Sequence, residues 1–365
     1  MFDNFYKNKK VLITGHTGFK GTWMTCWLLE LGANVVGVSD EIPTNPSMFL
    51  ELNIEDKISH NLFDIRDFDK ISSLINVEKP DIIFHLAAQA IVSKSFKDPL
   101  LTISTNVIGT INVLESLKQI EYDIKCVLIT SDKSYFNVEW PWGYKETDRL
   151  GGKDIYSGSK AAADILIESY FHTFLKEKSN VKLAVGRAGN VIGGGDWAKD
   201  RIIVDCMIAW NSNQKVEIRS PKATRPWQHV LEPISGYLIL GTKLDENLDG
   251  EAFNFGPNSS MNKSVLELIK SIGEKWNNNG EELYSISKNP TTFIESNLLK
   301  LNCDKALFHL KWKSTLDYEF THQFVSEWYY EFYINKIDMY EFTIFQIDQF
   351  STIASKNELE WTNRK

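Results

Sequence analysis

The run Val11-Leu-Ile-Thr14, followed at once by Gly15-His-Thr-Gly18-Phe-Lys-Gly21, governs the reading of the fold. Four apolar or β-branched residues make a short strand, and G-x-x-G-x-x-G opens the helix predicted over Thr22 to Leu31. Glycines in that place permit a tight turn and bring backbone N–H groups close to a pyrophosphate at a helix N-terminus. An ordinary strand-to-helix turn would leave the same pattern. Its position in the first of several strand–helix units favours a dinucleotide site.

Working outward, Asn34 to Val38 is a second strand, another lies near Leu62, and Asp81 to His85 is the next. A helix over Val107 to Leu117 leads to the strand Cys126 to Ser131. A helix from Ser157 to about Leu175 precedes a strand at Leu183 to Gly186. Short apolar strands alternating with amphipathic helices predict an α/β chain built on a doubly wound parallel sheet of Rossmann type. After Arg187 the alternation fades into glycine-rich, basic and Asn-rich stretches, the last being the loop NNNGEE at 277 to 282. The expected division is a dinucleotide-binding domain over 1–189, with a return contribution from about 226–258. Residues 190–365 then form a smaller α/β substrate lobe and C-terminal helices. The aromatic tail, Trp328 to Phe350, is expected to pack on the lobe or at a subunit contact.

The chain has 365 residues, enough for two domains, and its 40 Lys and Arg against 48 Asp and Glu leave a net charge of −8. That balance argues against broad nucleic-acid or anionic-membrane binding. A local basic pocket for an anionic small molecule remains compatible with it. Cys26, Cys126, Cys206 and Cys303 are scattered without a C-x-x-C pair, which disfavours a zinc site or a secreted disulfide framework. No metal is expected. No apolar stretch is read as reaching the ~18 residues of a membrane span, and the N-terminus lacks a signal-peptide core. A cytoplasmic protein is expected.

Within the glycine loop Gly15, Thr17, Gly18, Phe19 and Gly21 are the cofactor candidates. Asp40, just past the second strand, is placed to bond a ribose 2′-hydroxyl and so to select NAD, although it could equally cap a loop. Asp64 and Ile65 are candidates to flank the adenine. Leu86, Ala87 and Ala88 end a strand with small residues that allow close approach to the cofactor, and tight helix packing explains them as well.

Tyr156-Ser-Gly-Ser-Lys160 is Y-x-x-x-K at a helix start, which puts both side chains on one face. A free phenol has a pKa of about 10, so a base at neutral pH needs roughly 4 kcal/mol of differential stabilisation. A lysine ammonium and a nicotinamide charge have the right sign to supply it. A chance surface pair would look the same. The glycine loop upstream and Ser131 at a strand end make a proton-transfer set the better account.

With these features the chain resembles the extended short-chain dehydrogenase/reductase family. GHTGFKG, PTNPSMF, ITSDKSY, LGGKDIYSGSKAAAD, GRAGNVIGGGDWAKDR, RPWQHVLEP and EFTIFQIDQ resemble its CDP-glucose 4,6-dehydratase branch. The resemblance implies NAD as cofactor, a nucleotide-sugar substrate, CDP-glucose foremost, and a hydro-lyase of deoxysugar biosynthesis. It further implies a catalytic set of Ser131, Asp132, Lys133, Tyr156 and Lys160. Tyr156 takes the O4 proton, Ser131 aligns O4, Asp132 protonates the departing C6 hydroxyl, and Lys133 removes the C5 proton.

Asp132-Lys133 stands where epimerases of this type carry small, non-ionisable residues. Lys133 must be neutral to act as a base, and a simple Asp–Lys ion pair is the alternative. In the lobe the resemblance implies diphosphate contacts from Asn190 and Arg225, with Arg201 and Trp227 nearby. Arg219 and Lys222 add local charge. Arg187 is read as structural, His229 as a satisfied buried histidine, and Gly193 to Gly195 as either a turn or a place of close nucleotide approach. The family implies a homo-oligomer, dimer or tetramer, through the Val107–Leu117 and Ser157–Leu175 helices. Ile108, Ile111, Val113 and Leu114 suit either an internal or an intersubunit face. An epimerase and a non-enzymatic dinucleotide sensor are the competing functions.

Overall fold

The computed structural model describes residues 1–258, 261–276, 283–287 and 298–363. The predicted loop at 277–282 lies outside them. Seven strands form one fully parallel sheet: β1 (Lys10–Thr14), β2 (Asn34–Ser39), β3 (Ser59–Leu62), β4 (Ile82–His85), β5 (Ile124–Ile129), β6 (Val181–Ala188) and β7 (Ala252–Phe255). Their spatial order is β3-β2-β1-β4-β5-β6-β7. The direction of strand order reverses beside β1, so a crevice opens at the carboxyl ends of β1 and β4.

Alternate residues of each strand go to opposite faces, and both faces are buried. Val11, Ile13, Ile82, Phe84, Val127 and Ile129 face one side with Trp23, Trp27 and Tyr237. Leu12, Val36, Val38, Ile83, Cys126 and Leu128 face the other with Ile71, Val113, Leu114 and Ile167. The helices supplying these residues are α1 (Phe19–Glu30), α2 (Phe68–Glu78), α3 (Gly109–Lys118), α4 (Ile155–Tyr170) and, after α5 (Ile202–Asn211), α6 (Leu231–Lys243). Beyond β7 come α7 (Val265–Gly273), α8 (Tyr318–Tyr330) and α9 (Met339–Lys356).

Several elements are longer than predicted, for local reasons. Helix α1 starts at Phe19, three residues early, because extended Gly18 is its N-cap. Helix α3 continues a helical run that begins at Pro99, where Asp98 caps the first turn and a wide turn at Ser104–Ile108 joins the two pieces. This run, Pro99–Lys118, is long and apolar enough by composition to cross a membrane, which corrects the expectation that no stretch reaches that length. Its apolar stretch is 56% buried inside the fold, and that accounts for its hydropathy. Within it Val113 and Leu114 are core residues, whereas Ile108 is 46% exposed.

The glycines Gly193 to Gly195 are explained by packing. A Cβ on Gly194 would lie 2.0 Å from the Trp328 ring, and one on Gly195 would lie 2.6 Å from Met48. Trp23 also donates its indole N–H to the Gly194 carbonyl at 2.9 Å. Arg187 is structural: Nε and Nη2 grip Asp164 at 2.9 and 2.7 Å, and Nη1 donates to the Tyr135 hydroxyl at 2.8 Å, all buried. His229 is buried against Trp23 and Phe324, and burial lowers its pKa to about 3, so it is neutral. Its Nε2 has no partner among the described residues, which corrects the view of it as fully satisfied.

Candidate active site

The crevice is built from strand ends. At β1 the chain turns through Gly15, whose φ is +81°, and a Cβ there would lie 2.8 Å from the Ala87 nitrogen. A Cβ on Gly21 would lie 2.1 Å from the Gly15 carbonyl oxygen. Only glycines fit this cradle, and Gly18 offers no side-chain cap to the first-turn N–H groups of α1. Such a turn suits a pyrophosphate. Thr17 is committed to the loop itself, its N–H to the Ser39 Oγ at 3.2 Å and its hydroxyl to the Glu41 carbonyl at 2.7 Å. Leu86 and Ala87 are drawn in by β1, through N–H bonds to the Thr14 carbonyl and hydroxyl. Ala88 follows, half-buried, on the same strand end.

Asp40 is exposed at the end of β2. Across from it, Arg66 forms an ion pair with Asp64, a contact that holds the Asp64 carboxyl below its ordinary range. The Asp40 charge also bears on Arg66. Ile65 is buried: a Cβ on Gly109 would meet it at 2.5 Å, and Asn112 donates to its carbonyl at 2.9 Å.

The candidate reacting groups gather past β5 and at the start of α4. Ser131 caps a single turn, Asp132–Ser134, accepting the Lys133 N–H at 3.2 Å and donating to Asp132 Oδ1 at 3.0 Å. Asp132 is buried, and Gly189 makes room for it, since a Cβ at 189 would sit 3.0 Å from Asp132 Oδ2. Helix α4 is capped by Asp154, which accepts the Ser157 N–H and hydroxyl at 2.9 and 2.7 Å. That cap starts the helix one residue before Tyr156, leaving Lys160 one turn further on. Both are buried. A network from Gln89 through Asn106 to the Ser159 hydroxyl, 2.9 Å, ties α4 to the end of β4. Lys133 is half-buried at the same turn.

Burial sets the electrostatics. It raises the Asp132 carboxyl above its ordinary range, against the opposing pull of Lys133, the Ser131 hydrogen bond and Lys20. Tyr156 is pushed up to about 12, first by burial and then by the Asp132 charge, while the Ser131 hydrogen bond and the Arg201 charge oppose. The protein alone therefore moves this phenol the opposite way from the one a base requires. A protonated Asp132 would remove the second of these causes and leave burial and the smaller Asp154 charge. Lys160 is brought down to about 8 by burial, with Asp164 opposing.

Lys20 belongs to the same charge cluster, and sequence reasoning gave it no role. Its ammonium lies 3.4 Å from the Tyr237 hydroxyl. Burial and then the charges of Lys160 and Arg201 bring it to about 7, against the pull of Asp132. The available signal was a charged residue inside the glycine loop itself.

Of the lobe residues, Arg201 reaches this cluster electrostatically and is paired with Asp196. Asn190 is half-buried just past β6. Arg225 lies half-buried on a short strand, Thr224–Pro226, that pairs antiparallel with Asn262–Ser264. Trp227 is a core residue whose indole N–H is used by the Lys263 carbonyl at 3.0 Å, so packing is its role here. Among the described residues no His, Cys, Asp and Glu cluster could hold a metal ion.

An epimerase from Methanothermobacter thermautotrophicus has the same fold, with a TM-score of 0.78 at 21% identity over 90% of this chain and 94% of its own. So does a dTDP-glucose 4,6-dehydratase from Streptomyces venezuelae solved with NAD bound, with a TM-score of 0.76 at 18% identity over 88% and 97%. In sequence the chain is 44% identical over 316 residues to the CDP-glucose 4,6-dehydratase of Salmonella typhimurium, covering 85% of this chain and 87% of that relative. The family model for GDP-mannose 4,6 dehydratase matches residues 12–323. On the glycine cradle, the buried Ser–Asp–Tyr–Lys cluster and these matches together, the chain belongs to the GDP-mannose 4,6 dehydratase family.

Proposed function

We propose that the chain is an NAD-dependent nucleotide-sugar 4,6-dehydratase acting on CDP-glucose, forming CDP-4-keto-6-deoxyglucose and water. The observation that carries this reading is Asp132: a carboxyl buried beside Ser131, its pKa pushed upward by that burial, suits a proton donor, which an oxidation-and-return epimerase does not need. The relative at 44% identity bears the CDP-glucose name.

Gly15, Gly18, Phe19 and Gly21 would hold the pyrophosphate in a loop that Thr17 braces, Asp40 the adenosine ribose, Asp64 and Ile65 the adenine side, and Leu86 to Ala88 the nicotinamide half. NAD, when bound, would supply reversible hydride acceptance and, in its oxidised form, a positive charge. Tyr156 accepts the O4 proton, aligned by Ser131, and Lys160 and Arg201 provide positive charge to favour the phenolate. Asp132 gives its proton to the C6 oxygen as water leaves. Lys133 removes the C5 proton, and Lys133→Ala should stop C5 exchange with deuterated solvent. Arg225 and Arg201 would neutralise the two phosphates, with arginine forks suited to bidentate contact, and Asn190 would donate an amide hydrogen bond to them. Trp227 would steady the Arg225 strand through its indole bond to the Lys263 carbonyl, Lys263 being the residue paired with Arg225.

The division into a cofactor part, 1–189 with the α6–β7 return, and a substrate part is proposed on the pairing of β7 with β6. A homo-oligomer is proposed on the apolar residues that the helices leave in water: Leu100 at 78% exposure, with Ile103, Ile108 and Ile165. Four free cysteines, three of them buried, suit the reducing cytoplasm.

The test is incubation with CDP-, dTDP-, GDP- and UDP-glucose, scored by mass spectrometry for loss of water. Dehydration of CDP-glucose alone is expected. Preference for another nucleotide overturns the substrate, and no dehydration of any overturns the reaction.

A further inference from the structure

The C-terminal helices reach the crevice through one tyrosine. Helix α8 and the wide turn Glu331–Asn335 set four aromatic rings against the loop Gly193–Trp197. Trp328 fills the space that Gly194 leaves. The Trp197 ring packs at 4.9 Å from Phe332, and its N–H reaches the Tyr333 hydroxyl at 2.9 Å. The fourth ring, Tyr329, is fully buried and acts on the backbone. Its hydroxyl donates to the Asp196 carbonyl at 2.5 Å and accepts the Asp196 N–H at 3.1 Å. Both polar groups of one residue are thus held by a single side chain from 133 positions away. The Asp196 carboxylate in turn accepts the Ala198 N–H at 3.0 Å with Oδ1 and pairs with Arg201 Nη1 through Oδ2.

We propose that Tyr329 is a positioning residue for the reaction: by fixing Asp196 at both backbone groups it holds Arg201 where its charge acts on Tyr156. The inference rests on the reading of Tyr156 as the base. Arg201 is a third exposed, so without a rigid anchor it has room to swing toward water. Asp196 is nearly buried and supplies that anchor only while its backbone is fixed. Burial keeps the Tyr329 phenol far above its ordinary pKa, so it remains a donor at every working pH. A packing role alone would need the ring and not the hydroxyl. The two bonds to Asp196 use the hydroxyl in both directions.

Tyr329→Phe removes the hydroxyl and keeps the ring. The pH profile of kcat/KM for CDP-glucose should then shift its acidic limb upward by about half a unit, about a threefold loss below the limb. Arg201→Gln should move the limb the same way and further, and Tyr329→Phe added to it should move it no more. In the substrate-free protein the Asp196 amide should exchange with solvent about tenfold faster in Tyr329→Phe. Thr343→Val removes the hydroxyl that accepts the Trp328 N–H at 3.0 Å. It should lower Tm while leaving the limb and the Asp196 amide unchanged.

An unmoved limb in Tyr329→Phe overturns the inference, as does an equal shift in Thr343→Val or a full second shift in the Arg201→Gln background. Wild-type inactivity on all four nucleotide sugars would instead sink the functional reading. In that case unchanged Asp196 exchange in Tyr329→Phe still overturns this one.

Discussion

Gly189→Ala probes the proposed proton donor, Asp132, without replacing it. The added methyl would lie 3.0 Å from Asp132 Oδ2 and 3.6 Å from its Cγ. Ordinary carbon–oxygen contact begins near 3.4 Å, so the carboxyl must withdraw by about 0.4 Å in a close-packed interior. If an ångström of misplacement costs about a hundredfold, 0.4 Å costs roughly sixfold in the rate of water loss. The backbone at 189 is free of positive φ, so the substitution should change stability by less than about 1 kcal/mol.

The assay compares CDP-glucose with its 6-deoxy-6-fluoro analogue, because fluoride departs with less help from an acid. The variant should be about sixfold slow on the hydroxyl substrate and close to wild type on the fluoride. Equal defects on both substrates would refute Asp132 as the group that protonates the leaving oxygen. So would a full-rate variant with an unchanged melting curve, since the carboxyl would then have moved without consequence.

Other expectations follow from the same geometry. Gly21→Ala drives a methyl to 2.1 Å from a backbone oxygen, and purified protein should lose bound NAD while keeping its helical circular dichroism. Asp164→Asn leaves the Arg187 guanidinium buried beside a neutral amide, and denaturant melts should show a loss of about 3–5 kcal/mol. Glu232 is buried and its pKa is raised to about 8 by burial, despite accepting the Thr315 and Leu316 N–H groups. The folded state therefore binds more protons than the unfolded chain between about pH 4.5 and 8. Stability from this group is present below that window and is lost as pH rises through it. Glu232→Gln should flatten the pH dependence of Tm there, and an unchanged slope would remove Glu232 as its source. Ile108→Glu should convert an oligomer to a smaller species in sedimentation, and an unaltered mass would move the interface elsewhere.

The parallel sheet was legible because its strands are short apolar runs whose alternate residues fill two cores. The glycine loop and Y-x-x-x-K were legible because each is local: a turn and one helical face. What escaped depends on contacts distant in sequence. Gly194 reads as a turn until Trp328 is seen in the space it leaves, and Arg187 acquires its role only from Asp164 and Tyr135. Lys20 looks like an ordinary first-turn lysine, and only folding places it among Lys160, Arg201 and Asp132. The burial that raises Tyr156 was not legible in the sequence for the same reason. Neighbouring charges can be guessed from a motif, but the depth of burial, which dominates here, cannot.

The Tyr329 contact with Asp196 also orders events in time. A ribosome adding about 5–20 residues per second takes roughly 7 to 27 seconds to cover the 133 positions between them. The sheet can close once Phe255 has emerged, well before α8 exists. For the remaining interval a nascent chain can own a finished cofactor cradle next to a crevice loop that nothing yet braces. A chain cut short in that interval would hold its dinucleotide and turn over little. Protection of that loop from protease should therefore report completed synthesis better than cofactor binding does.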